Sequence, residues 1–236
     1  MTKIALITGA NKGIGYEIAR LLGEQGVTAI VGARDEERGR AAAERLGQPY
    51  VRLDVTDEAS ATAAAKWIEQ EYGKLDILVN NAAIGGDITA VTPSTASVAA
   101  VRAVYETNVF GVIAVTNAML PLLRQSEAGR IVNMSSELGS LAMAMDSESH
   151  FWDANIIAYN SSKTALNMIT ICYAKELMAT SIKVNAVSPG YCATDLNGHS
   201  GFRTPEQGAA IAVRLATVDH DGPTGAYLED AGVIPW

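Results

Sequence analysis

Short apolar runs alternate with helical stretches from one end of this chain to the other, and few folds satisfy that alternation. Strands are predicted over Ile4–Thr8, Thr28–Ala33, Tyr50–Leu53, Ile77–Asn80, Arg130–Met134, Ile182–Val187 and Gly225–Leu228. Most are continuously apolar, the pattern of strands covered on both faces. Helices are predicted between them, over Gly15–Gln25, Asp35–Leu46, Glu58–Tyr72, Ser97–Gln125, Ile157–Ala179 and Pro205–Thr217. Asp57 and Thr204 read as N-caps, the latter with Pro205 at the first helical position. The repeated βαβ pattern implies an α/β fold: a doubly wound parallel sheet of about seven strands, helices on both faces, right-handed crossovers. With no linker, low-complexity stretch or longer repeat, residues 1–236 read as a single domain. Ligands of such sheets bind beyond the carboxyl ends of the strands, so each chemical motif should follow a strand.

Composition narrows the partners. A formal net charge of −8, with no run of Lys or Arg, argues against nucleic acid and against an anionic membrane surface. No apolar stretch is expected to span a bilayer, and the first apolar run ends at Thr8, too short for a signal peptide. Cys172 and Cys192 give no disulfide framework, and a cytoplasmic location is the expectation. His150, His199 and His220 lack ligand spacing, so no metal site is expected. No G-x-S-x-G elbow suggests a serine hydrolase.

The first predicted strand runs into Thr8-Gly9-Ala10-Asn11-Lys12-Gly13-Ile14-Gly15 and then a helix. Glycines there let the backbone of Gly9, Asn11, Gly13, Ile14 and Gly15 approach a pyrophosphate, which the helix N-terminus favours. The second strand ends at Ala33-Arg34-Asp35, with Arg38 one turn on. An NAD site usually has a carboxylate here for the ribose 2′-OH, whereas arginine accommodates a 2′-phosphate. Arg34 and Arg38, with Lys12 reaching from the first turn, therefore point to NADP(H). Asp35 suits a helix cap better than a ribose ligand. Asp54-Val55 follows the third strand and Asn81-Ala82-Ala83 the fourth, where Asn81 is a cofactor contact, a clasp between strands, or both.

Of eight tyrosines, only Tyr159 has a lysine four residues later, Lys163. On a helix such a pair shares one face, and a nearby cation lowers a phenol's pKa. The pair follows Ile131-Val132-Asn133-Met134-Ser135-Ser136, a strand opening into hydroxyls. Together with the Thr8–Gly15 turn, Asn80-Asn81-Ala82-Ala83, Asn108 within Thr107-Asn108-Val109-Phe110-Gly111, and Ser188-Pro189-Gly190 before Thr194, these motifs resemble the short-chain dehydrogenase/reductase family over essentially the full length. Ala33-Arg34-Asp35 with Arg38-Gly39, and Pro189 to Asp195, are similar to its NADPH-dependent carbonyl reductase branch.

The resemblance implies a Rossmann-type fold and an NADP(H)-dependent oxidoreductase that interconverts a ketone or aldehyde with its alcohol. Tyr159 is then the acid/base, Ser136 (Ser135 being its rival) polarises the substrate oxygen, and Lys163 lowers the Tyr159 pKa and holds the nicotinamide ribose. Asn108 anchors a water behind Lys163. The segment with Pro189, Gly190, Cys192 and Thr194 binds the carboxamide. Ala83 stands where the family commonly has glycine. The Ser136–Tyr159 spacing also exceeds that of the shortest members by roughly ten residues within Leu141–Asn155. Met143, Met145, His150, Phe151 and Trp152 there either wall an apolar substrate pocket or anchor a loop. Whether the chain is a monomer or a homo-oligomer stays open. Asp195–Arg203 is short for a substrate lid, with Gly198 and Gly201 favouring mobility, so an open cleft that accepts fairly bulky aldehydes or ketones is expected. The alternative to an enzyme is an NADP(H)-binding redox sensor without turnover, whose relatives typically lack the Tyr/Lys pair.

Overall fold

All five residues of β1 (Ile4–Thr8) are buried, which an apolar run achieves only at the centre of a two-sided layer. The computed structural model describes residues 2–89 and 92–236 and places β1 there. Around it lie β2 (Thr28–Ala33), β3 (Tyr50–Arg52), β4 (Ile77–Asn80), β5 (Arg130–Met134), β6 (Lys183–Val187), β7 (Tyr227–Glu229) and β8 (Gly232–Val233). The sheet order is β3-β2-β1-β4-β5-β6-β7-β8. The first seven strands run parallel and β8 pairs antiparallel with β7. Strand order reverses between β1 and β4, which puts a binding crevice beyond their carboxyl ends.

The helices are α1 (Gly13–Glu24), α2 (Glu36–Leu46), α3 (Glu58–Tyr72), α4 (Val98–Tyr105), α5 (Gly111–Leu123), α6 (Leu141–Ala144), α7 (Ile157–Glu176) and α8 (Pro205–Ala216). One apolar cluster lies on the α1 and α8 side of the sheet and includes Ile18, Leu22, Val31, Val79 and Ile211. The other lies on the opposite face and includes Leu6, Ile68, Leu78, Val115 and Met119. Asp57 caps α3 by accepting from Ala59 N at 3.0 Å, and Thr204 caps α8 in a capping box with Gln207. Asp35 caps α2, accepting from Arg38 N at 3.0 Å.

Buried polar groups tie the layers together. Asn80 donates to Thr116 Oγ1 (3.1 Å) and to Asn133 Oδ1 (2.8 Å), and Asn133 donates to Thr170 Oγ1 (2.9 Å). At the other end of the sheet, buried Asp76 accepts from Ile4 N (2.8 Å), Ser126 Oγ (2.6 Å) and Lys74 Nζ (2.9 Å).

Three features depart from the expected pattern. The strand β8 and the short α6 add to the predicted elements. The predicted helix over 97–125 is one rod, Val98–Leu123, but its turn at Glu106–Phe110 is π-helical. That rod is also long and apolar enough, at a mean hydropathy of 1.4, to meet the length and composition of a membrane span, against the expectation of none. Its Val104, Val109, Val112, Val115, Met119 and Leu122 are instead buried within the molecule, with α4 against α7 and α5 against α3.

Candidate active site

The crevice is a cleft of about 1000 Å³ at the carboxyl ends of the strands. Gly9 (φ 66°) and Gly13 (φ 57°) carry the chain through the left-handed region between β1 and α1, a turn that side chains resist. The first turn of α1 holds no acidic residue, and its N–H groups are the ones a helix leaves unpaired. The turn is held by Thr8: its hydroxyl accepts from Asn81 N and Ala82 N, both at 2.9 Å. Asn81 Nδ2 returns a bond to Thr8 O at 2.8 Å. Asn81 is thus a clasp between β1 and β4, and it lines the cleft as well.

A Cβ on Gly15 would collide with Asn81 Nδ2 and lie 2.7 Å from Gly9 O. Gly15→Ala is therefore expected to cost roughly 1–3 kcal/mol, lowering Tm by several degrees (about 2–4 °C per kcal/mol for a chain of this size) and weakening dinucleotide binding. Calorimetry with and without dinucleotide checks both; an unshifted Tm counts against the clasp.

Asn11, Lys12, Ile14, Arg34, Arg38, Asp54, Val55, Ala82, Ala83, Tyr159, Lys163, Pro189 and Thr194 also line the cleft. Arg34 is exposed and forms no salt bridge among the described residues. It stands near Asp54: burial raises that carboxyl's pKa, but bonds from Thr56, then the charge of Arg34, bring it below the usual value. Arg38 reaches Asp35 at 3.6 Å. Lys12 turns instead to Asp195 Oδ2 on the opposite lip, at 2.5 Å, and His199 Nε2 meets Asp195 Oδ1 at 2.8 Å. Gly190 and Cys192 do not line the cleft. Cys192 is buried, its thiol donating to Pro189 O at 3.3 Å and lying where a Cβ on Gly208 would be.

Ser136, Tyr159 and Lys163 come together where β5 ends and α7 begins. Ser136 stands close enough to the Tyr159 phenol to oppose the rise in its pKa, and its hydroxyl accepts from Leu138 N at 3.3 Å. Ser135 lines the cleft, whereas Ser136 and Asn108 are not among its lining residues. The Ser135 hydroxyl is buried and committed to Asn167 Oδ1, to which it donates at 2.6 Å, and that leaves Ser136 as the candidate reacting serine. Lys163 is 2% exposed, donates to Met134 O at 2.7 Å and stands 5.5 Å from the Tyr159 ring centre. Burial pushes the Tyr159 phenol up to about 12, only Ser136 opposing it, and pulls the Lys163 ammonium down to about 8. The expected lowering of the phenol by its lysine is thus reversed. The ammonium is spent on a backbone carbonyl, and the apolar surroundings penalise phenolate.

Asn108 sits inside the π turn, 1% exposed. Its amide grips Ile84, accepting from N and donating to O, both at 2.9 Å, and donates to Ser162 Oγ at 3.1 Å. The clamp fixes the loop after β4 beside α7. Such π turns recur at functional sites.

Beyond Ser136 lies a second cavity, about 270 Å³, lined by Glu137, Leu138, Met143, Ala144, Met145, Phe151, Trp152, Ala154, Asn155 and Asn160. The segment within Leu141–Asn155 therefore walls a pocket with its Met and aromatic side chains; His150 stays outside. The segment 195–203 is more fixed than expected. Thr194 N donates to Asn197 Oδ1 (3.2 Å), Cys192 and Arg203 form a β-bridge, and Gly201 packs so closely on Cys192 and Ala193 that no Cβ would fit. The contacts of Thr8, Asp195, His199 and Tyr227 escaped the sequence reading. Tyr227, buried in β7, donates its hydroxyl to Ser136 O. Only the apolar strand pattern marked that position, and nothing in it marks a hydroxyl's destination.

A family model described as short chain dehydrogenase matches residues 3–202. A short-chain dehydrogenase, anuI, of Penicillium roqueforti is 40% identical over 228 residues, covering 91% of this chain and 88% of the relative. Carbonyl reductase [NADPH] 1 of Mus musculus is 31% identical, covering 99% and 98%. The structure of NADPH-bound carbonyl reductase from chicken fatty liver superimposes with a TM-score of 0.86 at 27% identity, covering 100% and 99%. With the glycine turn, the crevice at the strand reversal and Ser136 beside Tyr159 all in their places, this chain belongs to the short-chain dehydrogenase family.

Proposed function

We propose that the chain is an NADP(H)-dependent oxidoreductase that reduces a ketone or aldehyde to an alcohol, or runs the reverse, with residues 1–236 as one binding and catalytic unit. The observation that carries this reading is the pairing of Tyr159 with buried Lys163 in the cleft, the ammonium 5.5 Å from the ring centre.

The cleft suits a dinucleotide. Its glycine cradle and helix N-terminus accept a pyrophosphate, and Arg34 with Arg38 offers guanidinium groups to a ribose 2′-phosphate. Asp35, the one carboxylate adjoining Arg34 in sequence, is committed to the α2 cap. Lys12 stays with Asp195, so the 2′-phosphate reading rests on the arginines. Asp54, Val55, Asn81, Ala82 and Ala83 flank the adenine and ribose side, and Pro189 and Thr194 the nicotinamide side. NADP(H), when bound, supplies or accepts the hydride.

The chain's own residues manage the oxygen and its proton. With its phenol pushed up to about 12, Tyr159 holds its proton throughout the neutral range and is ready to donate it to a carbonyl oxygen. Ser136 donates a hydrogen bond to that oxygen and keeps Tyr159 aligned. Lys163, held by Met134 O, places a donor beneath them. Asn108 keeps the β4 loop and α7 in register behind the lysine.

The test is NADPH and NADH oxidation over a panel of aldehydes and ketones, bulky apolar ones included because Met143, Met145, Phe151 and Trp152 wall the second cavity. Reduction with NADPH preferred is expected. Tight NADPH binding without oxidation by any carbonyl would replace the enzyme with a redox sensor.

A further inference from the structure

The run from Ser136 to Met145 has little of its own to hold it once it leaves the sheet. It consists of a single tight turn, Glu137–Gly139, and the four residues of α6. A helix of one turn is not stable alone in water and depends on what it packs against. Yet Leu141, Ala142, Ala144 and Met145 are exposed, and only Met143 is partly buried. The run nevertheless carries the candidate reacting serine at one end, and its Met143, Ala144 and Met145 wall the second cavity at the other.

Two neighbours fix it. On one side α7 holds the Gly139 carbonyl, which accepts from Thr164 Oγ1 at 3.0 Å and from Asn167 Nδ2 at 3.1 Å. On the other side lies the hairpin of β7 and β8, with Pro235 and Trp236 beyond it. Ile234 N donates to Tyr227 O at 2.8 Å, which turns the chain back over β7. Tyr227, with no exposed surface, donates its hydroxyl to Ser136 O. Its ring stacks on that of Trp236, centres 5.2 Å apart and planes inclined by 25°. Ser140 Oγ accepts from Met143 N at 3.1 Å and donates to Pro235 O at 2.6 Å, so the cap of α6 is also its tie to the hairpin. Ala142 N donates to Trp236 O at 3.3 Å. Met143 packs on the cluster of Ala186, Tyr227 and Ile234.

We propose, on the reading of Ser136 and Tyr159 as the reacting pair, that Tyr227 and Trp236 are positioning residues. Tyr227 aims the reacting serine through its peptide carbonyl. Trp236 holds α6, and with it the cavity wall that selects bulky apolar carbonyls. Neither ring lines the cleft or the second cavity, so both act through the Ser136–Met145 run.

Tyr227→Phe keeps the ring and its stack, and Ser136 O still accepts from Gly139 N at 2.7 Å, so no buried carbonyl loses its last donor. That variant should keep NADPH affinity and lose about ten- to a hundredfold in kcat, the cost of a misaligned group. On the residual turnover of Ser136→Ala the same exchange should cost no more than about twofold, because a residue acting through the serine has nothing left to aim. Trp236→Ala should raise KM for a bulky apolar ketone about tenfold and leave KM for a small aldehyde unchanged, with Trp236→Phe restoring the wild-type ratio. Ser140→Ala, which cuts the tie to Pro235 O and spares the stack, should shift the same ratio and serves if Trp236→Ala does not fold. Hydrogen exchange of the full chain reads the brace without turnover: residues 139–144 should lose protection in Trp236→Ala or Ser140→Ala while β1, β4 and β5 keep theirs. With an active wild type, three results overturn the proposal alone: a Tyr227→Phe cost as large without the Ser136 hydroxyl as with it, KM values that rise together for both carbonyls, or unchanged exchange at 139–144. A wild type that reduces no carbonyl overturns the reading of Ser136 and Tyr159 and the proposal with it.

Discussion

Tyr159→Phe is expected to lower kcat for carbonyl reduction by about a hundred- to ten-thousand-fold, the worth of a positioned general acid, and to leave NADPH affinity unchanged. The ring stays, so packing against α7 and the contact with Lys163 are kept. Ser136 still accepts from Leu138 N, so the loop after β5 keeps its anchor. What disappears is one hydroxyl and the proton it carries. Stopped-flow NADPH oxidation beside a fluorescence titration of NADPH separates the two effects. Turnover within a fewfold of wild type would remove Tyr159 from the chemistry and return the proton to bulk water or to another group.

The second large effect is on cofactor choice. Arg34→Asp should weaken NADPH binding by about 1.5–3 kcal/mol, the loss of a charge-assisted hydrogen bond, which is roughly ten- to a hundredfold in dissociation constant. NADH, with a free 2′-OH that a carboxylate can accept from, should be unaffected or improved. Arg34 is exposed and outside any salt bridge among the described residues, so the exchange leaves the fold intact. It also sets a new carboxylate near Asp54, which compounds the repulsion toward a phosphate. The ratio of kcat/KM for the two cofactors is the measurement, and a ratio equal to wild type would dismiss Arg34 as the specificity residue.

The parts of this protein that depend on local pattern were legible in the chain. The predicted bounds of β1, β2, β4, β5 and α3 coincide with the observed ones because apolar runs, caps and turn glycines are local signals. Most of the motif residues line one crevice because strand order in a doubly wound sheet leaves one for them to share, with Asn108, Ser136, Gly190 and Cys192 outside its lining. What escaped depends on partners distant in sequence. Lys12 finds Asp195 from 183 residues away, and Tyr227 finds Ser136 from 91. The Tyr159 shift has the same origin. Sequence shows a lysine at the fourth position, but not that burial outweighs it or that Met134 O claims the ammonium. Cys192 was assigned by adjacency to Pro189 and Thr194, yet the chain turns its thiol inward toward Pro189 O and α8. Helical periodicity likewise does not distinguish π from α over a single turn, so the widening at Glu106–Phe110 left no mark.

That widened turn makes the long helix tolerant of a change in length at one place. A π turn spends one residue more per hydrogen-bonded ring than an α turn. Deleting a single residue within 106–110 lets the rod close into regular α-helix while α4 and α5 keep the faces they show to α7 and α3. The cost falls on Asn108, which would lose its bearing on Ile84 and Ser162. A one-codon deletion there should give a folded protein with an unhinged β4 loop. Architecture and activity are thus separable within five residues of a helix that looks continuous.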